Sequence, residues 1–115
     1  MVRGLMLLST DIWVGALIRR VEIGGGFAVV ARKGDSRAGA VLVQVLNRTD
    51  GTARLYSEAT RGDGERVWMQ PAASEQEPDL DRYIERAIRI DPDVWVVEIE
   101  DREGRHFLDG WLASE

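Results

Sequence analysis

The hydrophobic pattern of the chain begins with a helix. Ser9 and Thr10 are good helix caps, and apolar side chains occupy almost every position from 12 to 18. Three glycines at 24–26 then end the segment. A helix that is apolar on most of its sides is usually buried on more than one of them. We therefore expect the first helix to pack against a sheet and beneath a second layer as well.

A hydrophobic period of two then predicts strands over the middle of the chain. Residues 27–32 form the first strand, with alternate apolar side chains on one face. Residues 40–46 are rich in Val and Leu on both faces, which is typical of a central strand. A polar loop separates the next strand from a short one at 66–70.

A hairpin is predicted between the second and third strands. Asp50-Gly51 is a pair that suits a type I′ turn, since both central residues of that turn need a positive φ. A two-residue loop at this point places Leu46 opposite Leu55. These are favourable cross-strand partners.

The last third of the chain predicts one helix and a second hairpin. Apolar side chains recur at helical spacing from 80 to 88, and Asp91-Pro92 ends the helix because the residue before a proline avoids the helical region. Residues 94–101 alternate as a long strand. A three-residue loop containing Gly104 then closes a hairpin onto residues 105–108.

This second hairpin sets the expected partners of the acidic strand end. Its register places Glu100 opposite His106 and Asp101 opposite Arg105. The complete order is α-β-β-β-β-α-β-β. We therefore predict an α+β fold, an antiparallel or mixed sheet of five to six strands with two helices packed on it, in a single domain spanning residues 1–115.

Composition narrows the classes of function. The 115 residues include no Cys, which excludes disulfides, thiolate zinc sites and cysteine nucleophiles. No apolar run approaches the roughly 20 residues that span a bilayer, so we expect a cytoplasmic protein without a membrane partner. The net charge is −5, and the negative charge is concentrated in the second half of the chain.

Three segments carry a resemblance to a known family. They are Thr10-Asp11-Ile12-Trp13-Val14 leading to Leu17-Ile18-Arg19-Arg20, then Gly39-Ala40-Val41, and finally residues 91–101 with the sequence DPDVWVVEIED. In this order and at this length the chain resembles a family of short alphaproteobacterial proteins catalogued as domain of unknown function 1491. The resemblance implies no activity, substrate, cofactor or catalytic residue.

The acidic strand end is a candidate metal or acid/base site. Glu98 and Glu100 share one strand face about 7 Å apart, and His106 is the single histidine. The predicted hairpin, however, already pairs Glu100 with His106 and leaves only Glu98 without a partner. An enzyme with a site at Glu98, Glu100 and His106 is therefore one alternative, and no cofactor is indicated.

A basic patch is a second candidate. Arg19 and Arg20 near the end of the first helix and Arg32 and Lys33 at the end of the first strand could gather beside one another. A nucleic-acid-binding accessory protein would use such a patch, although the chain as a whole is acidic.

The tryptophans give the leading hypothesis. Trp13 and Trp95 lie within apolar stretches and are expected in the core. Trp68 lies on a polar-leaning strand face and Trp111 lies beyond the last strand, and exposed aromatic side chains are enriched at protein interfaces.

Together with Val94, Val96 and Glu98 on the second face of the last long strand, Trp68 and Trp111 form the predicted partner surface. The sequence thus favours a small non-enzymatic interaction or assembly domain. Its partner is expected to be a protein, with a second copy as a homodimer among the options.

Overall fold

The computed structural model describes residues 9–60, 66–108 and 111–112; for residues 60, 66, 111 and 112 it describes the backbone alone. Within these ranges, two helices and six strands follow one another. They are α1 (Thr10–Ile23), β1 (Phe27–Arg32), β2 (Val41–Asn47), β3 (Ala53–Thr60), β4 (Arg66–Met69), α2 (Glu77–Ile90), β5 (Trp95–Asp101) and β6 (Trp111–Leu112). The predicted α+β class, with two helices and a mixed sheet, is confirmed.

The strands form one sheet in the order β1-β5-β2-β3-β4-β6. β2 lies in the middle, antiparallel to β3 and parallel to β5, which confirms its predicted central position. The crossover through α2 returns the chain beside β2, and β5 enters there between β2 and β1. β1 is antiparallel to β5 and forms one end of the sheet.

The predicted hairpin after β5 is wrong. β5 pairs with β1 on one side and with β2 on the other, so no backbone edge is left for residues 105–108. These residues form a loop, and Glu100 lies opposite Phe27 rather than His106. Asp101 and Arg105 do meet, but through their side chains, with 2.8 Å between Arg105 Nη2 and Asp101 Oδ1.

The β2–β3 hairpin exists, but its predicted register is shifted by two residues. Leu46 lies opposite Ala53. The Asn47 amide donates to the Thr52 carbonyl at 2.8 Å, so the loop holds the four residues 48–51. The Asn47 side chain accepts a hydrogen bond from the Thr49 amide at 2.8 Å and stabilises this longer turn.

The two helices cover opposite faces of the sheet. α1 buries Val14, Leu17 and Val21 in a core with Val43 and Val97.

On the other face, α2 buries Leu80 and Ile84 in a core with Leu55 and Val96. Most of the contact between α2 and the sheet is with β2 and β3, which lie in the interior of the sheet.

α1 is buried on one side only, contrary to expectation. Ile12 is 58% exposed and Ile23 is 77% exposed. α2 lies on the opposite face of the sheet from α1. Among the described residues, no other helix or strand therefore covers the outer side of α1. In the described part of the chain, no helix has the length and apolar character needed to cross a membrane.

Candidate functional site

The predicted partner surface is largely buried. Trp68 is 1% exposed and stacks on Trp13, with ring centroids 5.3 Å apart. Val94 and Val96 are 4% and 3% exposed, because they lie in the core beneath α2. The backbone of Trp111 pairs with Val67, and its side chain is outside the described part of the chain. Trp68, Val94 and Val96 therefore belong to the core, which corrects the prediction.

Exposed apolar side chains concentrate instead on β1. Phe27 is 53% exposed, and Val29 and Val30 are 39% exposed each. Residues 27–31 carry no charge, and no strand of the described ranges pairs with the outer edge of β1. Among the strand's apolar side chains, only Ala28 reaches the core.

A groove of about 220 Å³ adjoins β1 on the face of the sheet that carries α2. Val29 lies opposite Glu98, and Glu98 lies opposite Gln44 on β2. Directly opposite residues project to the same face of a sheet. Val29, Glu98 and Gln44 therefore lie side by side on the α2 face. The side chains that line the groove include Arg32, Asp81, Ile84, Ile88, Val96 and Glu98.

Glu98 is the half-buried carboxylate of this groove. Burial raises its pKa, and the negative charges of Asp81, Glu77 and Glu100 raise it further. Among the described side chains, none forms an ion pair with Glu98. The buried Gln44 amide donates to Asp81 at 3.4 Å and not to Glu98.

The acid/base site suggested by the sequence does not assemble. Glu98 and Glu100 lie on the α2 face, whereas His106 packs edge-on against Tyr56 on the α1 face, with 5.1 Å between ring centroids. His106 Nδ1 accepts a hydrogen bond from the Leu108 amide at 2.9 Å, and burial lowers the histidine pKa. Within the described ranges, no three His, Asp or Glu side chains are placed to hold a metal ion.

Asp101, at the end of the same strand, organises the loop that follows. Its carboxylate is 1% exposed and accepts hydrogen bonds from the Arg105 guanidinium and from the amides of Glu103 and Arg105. The side-chain bond from Arg105 is the largest influence that holds the Asp101 pKa far below its ordinary value. Of the three acids of β5, Asp101 therefore has a full set of hydrogen-bond donors, whereas Glu98 has no ion-pair partner among the described side chains.

The four residues of the predicted basic patch do not share a face. The Arg20 guanidinium donates to the Phe107 carbonyl at 3.0 Å on the α1 side. Arg32 lines the groove on the α2 side and donates to the Pro92 carbonyl at 2.7 Å. Arg19 and Lys33 are exposed. Two of the four guanidinium and ammonium groups are thus bound to backbone carbonyls on opposite faces of the sheet.

The family follows from residues 8–109, which match the model described as a protein of unknown function, DUF1491. The chain belongs to the DUF1491 family. The resemblance inferred from the sequence is thereby confirmed. No curated protein matches the chain.

Solved structures of DUF1491 proteins share this fold. A crystal structure of a family member from Caulobacter crescentus CB15 is 74% identical, with a TM-score of 0.91, and covers 92% of this chain and 99% of that one. An NMR structure of a DUF1491 protein from the same organism, also 74% identical, has a TM-score of 0.87 and covers 92% and 96%. A solution structure of an A. tumefaciens protein is 36% identical, with a TM-score of 0.80 over 95% and 97%.

Sequence reasoning on this DUF1491 chain missed the surface formed by β1. The signal was present, since residues 27–31 are the uncharged part of a predicted strand. Whether this uncharged segment is buried or exposed depended on which strands lie beside it. Only the sheet order places β1 at an edge, where alternating apolar side chains meet solvent instead of a second strand.

Proposed function

We propose that this DUF1491 chain is a small, non-enzymatic protein-interaction domain of the bacterial cytoplasm, and that it binds its partner along β1. The observation that carries the proposal is the outer edge of residues 27–31, with which no described strand pairs; these residues have no charge and expose Phe27, Val29 and Val30. An unpaired strand edge is a ready template for another chain, and proteins usually protect such edges with charges or cover them.

Burial of the exposed side chains of β1 would contribute to the free energy of binding. Phe27 and Val29 each expose about half or less of their side chains, so burying the remainder contributes roughly 1 kcal/mol apiece. Backbone hydrogen bonds to a partner strand would add to this. The adjoining groove offers Ile84, Ile88 and the charged Glu98 as further contacts.

The dispersal of the candidate catalytic groups supports an interaction role over an enzymatic one. His106 lies across the sheet from Glu98 and Glu100, and Asp101 is engaged by Arg105. A general acid or base has to lie within hydrogen-bond reach of its reacting group. No constellation of that kind forms among these residues.

Site-specific photocrosslinking in the native cell tests the proposal. A photoreactive residue replaces Val29 on β1, and the matched control replaces Ile90, an exposed apolar residue at the end of α2. We expect one recurrent adduct from position 29 that is weak or absent from position 90. Mass spectrometry of the adduct identifies whether the partner is another protein or a second copy.

A second substitution separates specific binding from chance contact. Phe27→Asp places a charge on the exposed edge and should abolish the adduct from position 29, because the partner strand would bury that charge. Equal adducts from positions 29 and 90, or an adduct that survives Phe27→Asp, would contradict an interaction along β1.

A further inference from the structure

We infer that the partner bound along β1 inserts a basic side chain, arginine or lysine, into the groove beside Glu98, with its aliphatic stem on Ile84 and Ile88. The inference rests on the proposed function, because it takes the β1 side of the molecule as the binding surface. It goes beyond that function by naming the chemistry of the partner segment, a basic residue next to apolar ones. It does not require the partner to pair with the backbone of β1.

The first argument is the size and lining of the groove. Its apolar part is formed by Ile84 and Val96, which are buried, and by Ile88, which packs against them. Glu98 follows Val96 on the same strand face, so a carboxylate stands beside this apolar surface. A volume of about 220 Å³ is below the roughly 300–1,000 Å³ of a cavity that encloses a small-molecule ligand. It suits one long side chain with an apolar stem and a charged tip.

The second argument is the charge of the groove. Asp81 and Glu85 on α2 line it together with Glu98 on β5. Burial raises the pKa of Glu98, and the negative charges of Asp81, Glu77 and Glu100 raise it further. Several carboxylates therefore act on the same point, and a cation placed there would be attracted by all of them.

The basic side chains of the chain itself leave this charge unpaired. Among the described residues that line the groove, Arg32 is the one basic side chain, and it donates to the Pro92 carbonyl at 2.7 Å. On α2, Arg82 pairs with Asp79 and Arg86 lines a separate cavity. Within the described ranges, no ion pair involves a carboxylate of the groove, so these carboxylates are available to a cation from a partner.

The third argument is the continuity of the groove with the exposed side chains of β1. Val29 lies opposite Glu98 on β5. Phe27 lies opposite Glu100 in the same pair of strands. Directly opposite residues project to the same face, so an apolar row on β1 runs beside an acidic row on β5. A partner that covers the apolar row also covers Glu98, and burial of an unpaired carboxylate is costly. A basic side chain removes that cost.

A short blocked peptide with one arginine between valines tests the inference. The matched probe carries citrulline instead of arginine, because citrulline keeps the shape of the side chain and lacks its charge. Heteronuclear NMR of the full chain follows the amides of Ile84, Ile88 and Glu98 as each peptide is added to about 10 mM, since so small a contact gives millimolar affinity. We expect the arginine peptide to shift these amides and the citrulline peptide to bind about fivefold more weakly. Equal binding, or no shift with arginine, would overturn the inference.

Glu98→Gln then locates the cation. It should weaken binding of the arginine peptide about fivefold, whereas Glu22→Gln, an exposed change on α1 across the sheet, should leave the affinity unchanged. The charged form of Glu98 opposes folding, so the loss of binding would not reflect a loss of the fold, and circular dichroism verifies this. An unchanged affinity in Glu98→Gln would overturn the placement of the basic side chain.

The photocrosslink from position 29 separates failure of this inference from failure of the proposed function. In the native cell, Glu98→Gln should reduce the adduct severalfold, and Glu22→Gln should not. An adduct that is abolished by Phe27→Asp but undiminished by Glu98→Gln overturns the basic side chain and retains β1 as the binding surface. The absence of a position-specific adduct contradicts the proposed function, and the inference with it.

Discussion

The indole rings of Trp13 and Trp68 stack with their centroids 5.3 Å apart and their planes 21° from parallel, which joins α1 to β4. Trp13 is half-buried, whereas Trp68 is 1% exposed. The pair therefore belongs to the core of the α1 face. Both rings contribute apolar burial and an aromatic contact of about 1 kcal/mol.

Replacement of Trp68 should accordingly act on stability. Trp68→Ala leaves a large cavity in the core and is expected to lower the free energy of unfolding by about 3–5 kcal/mol. Trp13→Ala should cost about half as much, because that ring is already partly in water. Urea denaturation followed by circular dichroism measures both. A Trp68→Ala protein of wild-type stability would contradict the stacked, buried position.

Asp101 should make folding stability depend on acid pH. Its folded pKa lies far below the unfolded value near 3.8, chiefly through the hydrogen bond from Arg105. A carboxylate with a lowered pKa stabilises the fold above its unfolded pKa, and this contribution is lost as the pH falls. Asp101→Asn is therefore expected to cost about 3 kcal/mol at pH 7 and progressively less below about pH 5.

The control for this variant is Glu103→Gln on the same loop. Glu103 is exposed and stands 3.6 Å from Arg105, so its loss should cost less than about 0.5 kcal/mol. Urea midpoints measured from pH 7 to pH 3 supply the comparison. A constant difference between wild type and Asp101→Asn over that range would show that the carboxylate charge is not what Arg105 binds.

Glu98 should have the opposite pH dependence. Burial and the neighbouring carboxylates raise its pKa, so its charged form opposes folding. The contribution of such a group is favourable below its unfolded pKa and is lost as the pH rises through the folded pKa. Glu98→Gln is therefore expected to stabilise the protein by about 0.5 kcal/mol at pH 7 and to lose this effect in acid.

Glu22→Gln is the matched change for Glu98, since Glu22 is exposed on α1 across the sheet. It should leave stability near the wild-type value throughout the titration. Thermal melts at pH 4 and pH 7 are sufficient for the comparison. If Glu98→Gln is destabilising at neutral pH, Glu98 has a cationic partner and the account of the groove is wrong.

Gly34 marks a close approach between the loop after β1 and the start of β5. A Cβ at Gly34 would overlap the carbonyl oxygen of Asp93 and lie 2.7 Å from the Trp95 ring. The Trp95 indole also donates to the Asp35 carbonyl at 2.7 Å, which holds the loop in place. Gly34→Ala should cost about 1–3 kcal/mol through this overlap.

Gly15 is the control for Gly34, because it lies in α1 with nothing within 4 Å of an added Cβ. Gly15→Ala is expected to stabilise the helix by about 0.5–1 kcal/mol. Opposite signs for the two substitutions in the same denaturation assay would confirm both environments. Equal effects would contradict the close contact at Gly34.

The hydrophobic pattern was sufficient to predict those helices and strands whose apolar residues recur at a regular spacing. α2 has its apolar side chains at helical spacing, and β2 has Val and Leu on both faces, so the existence of each and the central place of β2 followed from the sequence. The family was also evident from short segments. The apolar residues next to Trp13 and Trp95 in the sequence were enough to predict that both pack in the core.

Pairing between strands that are distant in the chain determined the features that the sequence analysis predicted wrongly. The chain beyond β5 carries a good hairpin signal, but β1 and β2 already occupy both edges of β5, so residues 105–108 form a loop. The same long-range order separates His106 from Glu98 across the sheet and buries Trp68 beneath α1.

Hydrophobic period and local motifs were thus enough to predict both helices, the strands β1 to β5, the α+β class and the family. Which residues are exposed to water depended on the packing of segments that are distant in the chain. Phe27 and Val29 are exposed because β1 lies at the end of the sheet and α2 lies over β2 and β3. The position of β1 in the sheet depends on how all the strands pair with one another, and it cannot be predicted from the sequence of one segment.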